Sequence, residues 1–366
     1  MISGNTIHTI DLIHAVRSKL ASISIAILIA ATVSACASAG NNRTAAQVPP
    51  SSTDISTTQQ ETSTNTTANS YTLEQAGSLQ PRQLVEASGM SFSGQQANVI
   101  WLINDSGNPA EIFAIDTAGQ ELGVFKIKAR NRDWEDLTRF TVNGESFLLV
   151  TDIGDNRRIY DEYLLHVLAE PLIDSRLSAN SSIELEPVMT FAMRYPDGSH
   201  NGEAAAVAND GYLYLITKAE SPSVYRAPLI EAFIAEREIR AQNGNVNNRT
   251  TVPLSATHLG DYQRPPLSAS LSLVNAFTGV DFGSVTAMDV DNNVGEAWVL
   301  TYRSLYRLPA TASGDWIDVF LGEPQLVAEH DLRQAESMAF SPLKQQVYLT
   351  SEDVGAPLLH TTSDAN

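Results

Sequence analysis

Polar side chains recur at one position in five short, similar stretches of the sequence. The stretches are residues 86–92, 134–140, 201–207, 284–290 and 334–340, and their third residues are Ser88, Asp136, Glu203, Thr286 and Glu336. After each stretch comes an apolar run, and the Asn or Thr that closes it lies 14 to 16 residues beyond the third position. Spacing this constant indicates an internal repeat.

A second polar set lies just past the apolar runs: Asp105, Asp152, Lys218, Arg303 and Glu352. If each run pairs antiparallel with the stretch before it, the two sets lie side by side at one end of the repeat. Crowded carboxylates repel one another, so they take up protons, meet basic side chains or bind a cation. Oxygen donors with few histidines and no cysteine nearby suit a hard cation such as Ca²⁺.

We therefore predict two groups of site residues. The predicted metal ligands are Asp136, Asp152, Asp155, Glu203 and Glu336. The predicted ligand-binding residues are Asp105, Glu135, Lys218, Arg303 and Glu352. The alternative for the first set is structural, with side chains that cap strand ends by bonding to neighbouring backbone.

No catalytic residue can be assigned from the sequence. His200, close to Glu203, could serve as a general base, but a loop histidine without a catalytic role is the simpler interpretation. The chain contains no nucleophile elbow, phosphate-binding glycine loop or zinc-binding His-Glu-x-x-His motif. Trp134 is expected to pack between neighbouring repeats rather than to contact a ligand.

The elements that must position these residues are short strands. Each repeat supplies an inner stretch, the apolar run and a third strand, and the first four repeats supply a fourth strand. Four-stranded units in sequence predict an all-β fold, a β-propeller. Residues 71–85 could complete the last unit and close the ring. We expect five blades; six is the alternative, if residues 261–283 hold another blade rather than an insertion. A β-sandwich with a second domain would leave the constant spacing unexplained.

The first 35 residues read as an export signal. A modestly basic opening precedes an apolar core over residues 20–33, which is shorter than the about 20 residues that cross a bilayer. Residues 33–36 (VSAC) resemble the lipobox of bacterial lipoproteins, which implies that Cys36 is lipidated after cleavage. The chain has one cysteine, which fits this role. An ordinary secretory signal is the alternative. Ala37 in place of Asp implies sorting to the outer membrane.

The remaining chain divides into a tether and a propeller domain. Residues 36–70 follow cleavage, and Ser, Thr, Asn and Gln dominate them, so we expect disorder with a reach of roughly 30 Å. Residues 71–366 form the propeller. The formal net charge of −19 argues against nucleic acid as a partner.

Several runs in the propeller resemble a group of bacterial secreted β-propeller proteins, and more loosely the phytase-like and esterase-like propellers. They are residues 104–107 (NDSG), 132–137 (RDWEDL), 152–156 (DIGDN), 195–198 (YPDG) with Glu203, and 349–352 (LTSE). The resemblance implies the fold and assigns no activity. We expect a lipid-anchored protein of the cell envelope that binds a small ligand or a protein on an acidic, cation-binding face. The alternatives are a metal-dependent hydrolase of a phosphoester, ester or lactone, and a non-catalytic envelope scaffold.

Overall fold

The structure is a computed structural model that describes residues 71–174, 183–243 and 251–363. The export signal, Cys36 and the tether lie outside the described residues. Within the described ranges the chain forms 22 strands: β1 (Tyr71–Ser78), β2 (Ala87–Phe92), β3 (Val99–Asn104), β4 (Glu111–Asp116), β5 (Glu121–Ile127), β6 (Trp134–Val142), β7 (Glu145–Asp152), β8 (Tyr163–Ala169), β9 (Ile183–Leu185), β10 (Met189–Arg194), β11 (Gly202–Val207), β12 (Leu213–Thr217), β13 (Ser223–Ala227), β14 (Val252–Ser255), β15 (Thr257–Asp261), β16 (Val285–Asp291), β17 (Glu296–Thr301), β18 (Ser304–Leu308), β19 (Gln325–Glu329), β20 (Ala335–Ser341), β21 (Gln346–Ser351) and β22 (Pro357–Ser363).

The described part of the chain also forms three helices: α1 (Leu229–Asn243), α2 (Ala269–Thr278) and α3 (Trp316–Phe320). None of the helices in these ranges combines the length and the apolar character needed to cross a membrane.

The described strands form five sheets, which are the blades of a β-propeller. From the inside outwards, blade 1 is β2-β3-β4-β5-β9, blade 2 is β6-β7-β8-β10-β14, blade 3 is β11-β12-β13-β15, blade 4 is β16-β17-β18-β19 and blade 5 is β20-β21-β22-β1. Consecutive strands within a blade pair antiparallel, whereas β9 and β14 add to blades 1 and 2 in parallel. The predicted five-bladed propeller is confirmed.

The first and the last of the described strands close the ring. β1 lies on the outside of blade 5 and pairs with β22, from Tyr71 opposite Ser363 to Ser78 opposite Pro357. The sequence predicted this closure, since the last repeat lacks a fourth strand of its own. Blade 5 thus depends on strands from both ends of the domain.

Apolar side chains fill the space between neighbouring blades. Five buried clusters lie in the described residues, and each joins one blade to the next, including blade 5 to blade 1. Trp101 and Trp134 both belong to the cluster between blades 1 and 2 and are fully buried, as predicted for Trp134. A fully buried side chain of this class contributes about 1.5–3 kcal/mol or more, so the inter-blade clusters are the main support of the ring.

The uneven spacing of the repeats comes from insertions. Helix α1 follows β13 and buries Phe233 against the rings of Phe140 and Phe147, at centroid distances of 5.3 and 4.9 Å. Residues 261–283 contain helix α2 and no additional sheet, so they form an insertion and not a sixth blade. The structure places none of the side chains of α2 in the core.

Candidate functional site

Every inner strand contains a β-bulge near its first residue. The pairing with the second strand skips one residue in each blade, and the bulged residues are Ser88, Glu135, Glu203, Thr286 and Glu336. A bulge places two residues opposite one and redirects the side chain of the extra residue. Each inner strand also contacts the next one around the ring. The five bulges therefore gather at one end of the central channel.

In the second repeat, the bulge lies one residue before the position predicted from the sequence. Trp134 pairs opposite Asp152 and Asp136 opposite Thr151, so the residue between them, Glu135, occupies the position of Ser88 and Glu203. Asp136 corresponds instead to the residue after the bulge in the other blades. The sequence pattern assigned Asp136 to the recurring polar position because residues 135 and 136 are both acidic.

Asp136 lies inside the ring and binds backbone groups. Its carboxylate accepts hydrogen bonds from the N–H groups of Leu137 at 2.8 Å, Ala205 at 2.8 Å and Met288 at 3.4 Å. These donors belong to blades 2, 3 and 4. Burial raises the pKa of Asp136 well above its ordinary value, although the three hydrogen bonds oppose the rise. This is the strand-end role that the sequence offered as the alternative to metal binding.

The two hydroxyl residues of the ring also bind backbone. Ser88 Oγ donates to the carbonyl of Trp134 at 2.9 Å, and Thr286 Oγ1 donates to the carbonyl of Ala335 at 2.7 Å. Each bond joins a bulge to the start of the next inner strand. The residues at the other three bulges are the glutamates Glu135, Glu203 and Glu336.

Asp152 and Asp155 are held by protein donors. Asp152 forms an ion pair with Arg132 at 3.0 Å. Asp155 accepts the N–H groups of Ile159 and Tyr160 and the hydroxyl of Tyr163, at 2.8 to 3.1 Å. Both acids are buried and fix the loops around β6 and β8. They do not join the acidic group described next, and their predicted role as metal ligands stays a prediction.

Three carboxyl groups converge between blades 1 and 2. Asp105 follows β3, Asp133 immediately precedes β6 and Glu135 is the second residue of β6. The ligand atoms of the three residues lie within 4.8 Å of one another. Asn131 holds the two segments together, since its side chain donates to the carbonyls of Asn104 and Asp105 at 3.0 and 2.8 Å. We call Asp105, Asp133 and Glu135 the acidic triad.

Glu135 is the most buried member of the triad. It is 6% exposed, and no described residue offers its carboxylate a hydrogen bond. Burial and the neighbouring charges of Glu203 and Asp105 raise its pKa well above the ordinary value. Burial, opposed by the N–H of Ser106, raises the pKa of Asp105 to about 7. The carboxylate oxygens of Glu135 are not among the fully enclosed polar atoms that lack a partner, so they open to the channel, where water or a cation can reach them.

The backbone at Gly154 lies very close to two carboxyl groups of the acidic triad. Gly154 lies so near that a methyl group on its Cα would overlap Glu135 Oε1 and the carboxylate of Asp133. Gly154 N–H donates to the carbonyl of Asp133 at 3.1 Å, which holds the two loops together. The glycine thus leaves room for two carboxyl groups at one point.

Blade 3 carries a network of charged and hydroxyl groups at the same end of the channel. Lys218 Nζ lies 3.1 Å from Glu203 Oε2, and Asn201 donates to Glu203 Oε1 at 2.6 Å. Burial raises the pKa of Glu203 to about 7, against the effect of Lys218. Burial disfavours the charge on Lys218, but Glu203 and Tyr302 outweigh it and its pKa is raised.

The network continues into blades 4 and 5. Lys218 Nζ lies 5.2 Å from the centre of the Tyr302 ring, and Tyr302 donates its hydroxyl hydrogen to Glu336 at 2.9 Å. Glu336 and Glu352 form a hydrogen-bonded carboxyl pair; burial and the charge of Glu336 raise the pKa of Glu352 to about 9. Glu352 is therefore protonated near neutral pH. We call the triad together with Glu203, Lys218, Tyr302, Glu336 and Glu352 the mouth.

The sequence located most of the mouth but missed two of its residues. Asp133 lies two residues before the bulge in blade 2, within the 132–137 run, and its acidic side chain was the available signal. Tyr302 follows the second strand of blade 4, where the pattern favoured the charged neighbour Arg303. The structure places Arg303 beside the mouth, over the ring of Phe282 at 5.2 Å.

His200 lies in an aromatic cluster. Its Nε2 contacts Asp197 Oδ1 at 3.0 Å and the hydroxyl of Tyr225 at 2.9 Å, and its ring packs against Tyr195 at 5.1 Å. These contacts give the side chain a structural role in the loop before β11.

Fold and mouth together define a five-bladed β-propeller with an acidic channel end. Among solved structures, a PQQ-bound aldose sugar dehydrogenase from Streptomyces coelicolor is 12% identical, with 81% of this chain and 99% of that chain covered and a TM-score of 0.37. Glutaminyl cyclase from Myxococcus xanthus is 9% identical, with 81% and 98% covered and a TM-score of 0.41. No family model matches the chain, and no curated protein matches it in sequence.

Proposed function

We propose that the protein is a lipid-anchored propeller of the bacterial cell envelope that binds a cation at the acidic triad and a small ligand or protein at the mouth. The observation that carries the proposal is Glu135, a buried carboxyl without a hydrogen-bonding partner among the described residues, aimed at two further carboxyls. A cation would offset the mutual repulsion of the three carboxylates and would coordinate Glu135, which accepts no hydrogen bond from the described residues.

Calcium is the cation that the donor set favours. The triad offers carboxylate oxygens alone, and neither histidine nor cysteine is among its members. Hard cations prefer such donors, and Ca²⁺ accepts more variable geometry than Mg²⁺. Protons compete with the metal for the same oxygens, so a bound cation would lower the raised pKa values of Asp105 and Glu135.

The anchor is proposed from the sequence. Residues 33–36 resemble a lipobox, and Cys36 would carry the lipid that holds the protein on the membrane. The alanine at position 37 supports the outer membrane. Residues 37–70 would connect the lipid to the propeller.

A second candidate function is metal-dependent hydrolysis of a phosphoester, ester or lactone. The observation that favours it is the pair Glu336 and Glu352, in which one carboxyl keeps a proton near neutral pH because of its pKa of about 9. Such a group can donate a proton to a leaving oxygen. A cation at the triad would polarise the bond to be broken.

Thermal melting of the purified full chain tests the cation proposal. A cation that binds the folded state alone stabilises it by about 2.7 kcal/mol at 100 times its Kd. This corresponds to a rise in Tm of roughly 5 °C or more. We expect such a rise with Ca²⁺ and its reversal by a chelator.

Two variants make the melting experiment specific. Glu135→Gln should abolish the rise with Ca²⁺, whereas Glu74→Gln, which removes an exposed carboxylate from β1, should keep it. A wild-type Tm that responds to neither Ca²⁺ nor chelator would refute cation binding and the metal-dependent hydrolase together. It would leave the scaffold as the better hypothesis.

A further inference from the structure

A cavity of about 310 Å³ lies beside the mouth, between blades 4 and 5. Its lining residues are Val280, Phe282, Tyr302, Arg303, Arg333 and Gln334. The two arginines give this cavity a positive lining in a chain whose net charge is −19. The volume lies at the lower end of small-molecule sites, which suits a small chemical group.

The guanidinium group of Arg303 is held in place, but no described carboxylate neutralises its charge. Its guanidinium stacks over the ring of Phe282 at 5.2 Å, which fixes the orientation of the planar group. None of the described residues forms an ion pair or a hydrogen bond with it. By contrast, Arg307 in the same blade contacts Glu296 at 3.7 Å and Gln325 at 3.0 Å. Arg303 therefore keeps its N–H donors for a group from outside the described chain.

Arg333 adds a second guanidinium to the cavity. Its side chain is 78% exposed and lies 3.7 Å from the exposed carboxylate of Asp353. Exposed ion pairs of this kind contribute about 0–1 kcal/mol, so Arg333 can leave Asp353 at little cost. The cavity can thus bring two guanidinium groups to one anion.

Tyr302 joins the cavity to the mouth. Its ring lines the cavity, its hydroxyl donates to Glu336 at 2.9 Å, and Lys218 lies on its ring. Positive and acidic regions therefore lie on either side of one aromatic side chain. A ligand that extended past Tyr302 would meet guanidinium groups at one end and the carboxyl-rich mouth at the other.

We propose that this cavity is the subsite for the carboxylate or phosphate group of a small organic anion, with Arg303 as its main contact. The planar fork of a guanidinium matches the two oxygens of such a group in a bidentate arrangement. This subsite rests on the proposed function, since the remainder of the ligand would lie over the cation at the triad. The ligand of the mouth would then be a small organic anion.

Calorimetric titration of the full chain tests the subsite with two probes. Inorganic phosphate is titrated into protein that has been stripped of metal and dialysed into chelator-free buffer, so that the cavity alone is measured, and succinate is titrated with Ca²⁺ present. Arg303→Gln should weaken the binding of both anions by tenfold or more, and Arg303→Lys by less, because lysine keeps the charge and loses the fork. Arg307→Gln is the matched control and should bind as the wild type does.

The outcomes separate this proposal from the cation proposal. Binding of either probe to Arg303→Gln with wild-type affinity, or equal weakening by Arg307→Gln, overturns the anion subsite, as does the absence of binding to the wild type. Neutral succinamide should not compete with succinate. If phosphate binding depends on Arg303 while Ca²⁺ leaves the Tm unchanged, the subsite stands and the cation proposal fails.

Discussion

Lys218 Nζ lies 3.1 Å from Glu203 Oε2, and the pair is largely buried in the mouth. Glu203 occupies the same bulge position in blade 3 as Glu135 does in blade 2. One of these equivalent glutamates has a lysine and an asparagine as partners, whereas the other has no hydrogen-bonding partner among the described residues. Blades 2 and 3 thus contain the same bulge, but the glutamate at the bulge forms an ion pair in blade 3 and lacks a hydrogen-bonding partner among the described residues in blade 2.

Lys218→Met should destabilise the folded protein by about 3–5 kcal/mol at pH 8, because it leaves the Glu203 carboxylate buried without its counter-charge. The loss should be smaller at pH 5. Glu203 has a pKa of about 7 in the folded protein and is then protonated. Urea denaturation at both pH values measures the difference. Lys128→Met, at an exposed pair with Glu184, is the control and should cost less than about 1 kcal/mol.

The free energy of unfolding in chelator should fall as the pH rises from 7 to 9. The folded-state pKa of Glu352 is raised to about 9, so its contribution is lost within this range, whereas Asp105 and Glu203, whose pKa values are raised to about 7, lose most of theirs below pH 7. Groups whose pKa is raised on folding stabilise the protein below their unfolded pKa, and this contribution is lost as pH rises through the folded pKa.

The window from pH 7 to 9 avoids the two buried histidines. Burial lowers the pKa of His166 and His330 to about 4, so their contribution to stability is lost only as the pH falls below about 6.5. Chemical denaturation in chelator at pH 7, 8 and 9 tests the prediction. Glu352→Gln should flatten the upper part of the curve, and a wild-type curve that rises over this range would contradict the assigned pKa directions.

Asp136→Ala should cost about 3 kcal/mol or more, because the buried N–H groups of Leu137, Ala205 and Met288 lose their acceptor. The increase in Tm with Ca²⁺ should survive in this variant if Asp136 binds backbone and not metal. Denaturation and melting with Ca²⁺ measure the two effects separately. Asp161→Ala, at an exposed bend, should change neither. A folded Asp136→Ala protein without the Ca²⁺ response would restore Asp136 as a metal ligand.

Gly154→Ala should weaken Ca²⁺ binding by tenfold or more with little change in stability. The added methyl group would displace the ends of two flexible side chains, Glu135 and Asp133, and spread the triad. Direct titration of Ca²⁺ measures the affinity. Gly123→Ala in β5 is a fair comparison, since its methyl group would make ordinary contact with Phe125. Equal affinity in the wild type and Gly154→Ala would place the cation elsewhere.

The repeat could be recognised in the sequence because the features that define it lie close together along the chain. Each blade needs an apolar second strand at a constant distance from a buried inner strand, and that distance is counted along the chain. The absence of a fourth strand after the last repeat likewise predicted closure by residues 71–85. Cys36 and its anchor were also inferred from local sequence, and they stay a prediction because those residues lie outside the structure described.

Only the tertiary structure decided which acids meet. A bulge is a property of pairing between strands, so the sequence could not distinguish Glu135 from Asp136 as the residue directed to the mouth. The one-residue shift sends Asp136 into the ring, where it binds backbone of three blades, and leaves Glu135 beside Asp105 and Asp133. The sequence by itself determined the ring and its acidic end. The composition of the triad depended on contacts between separate blades, which no spacing along one chain segment encodes.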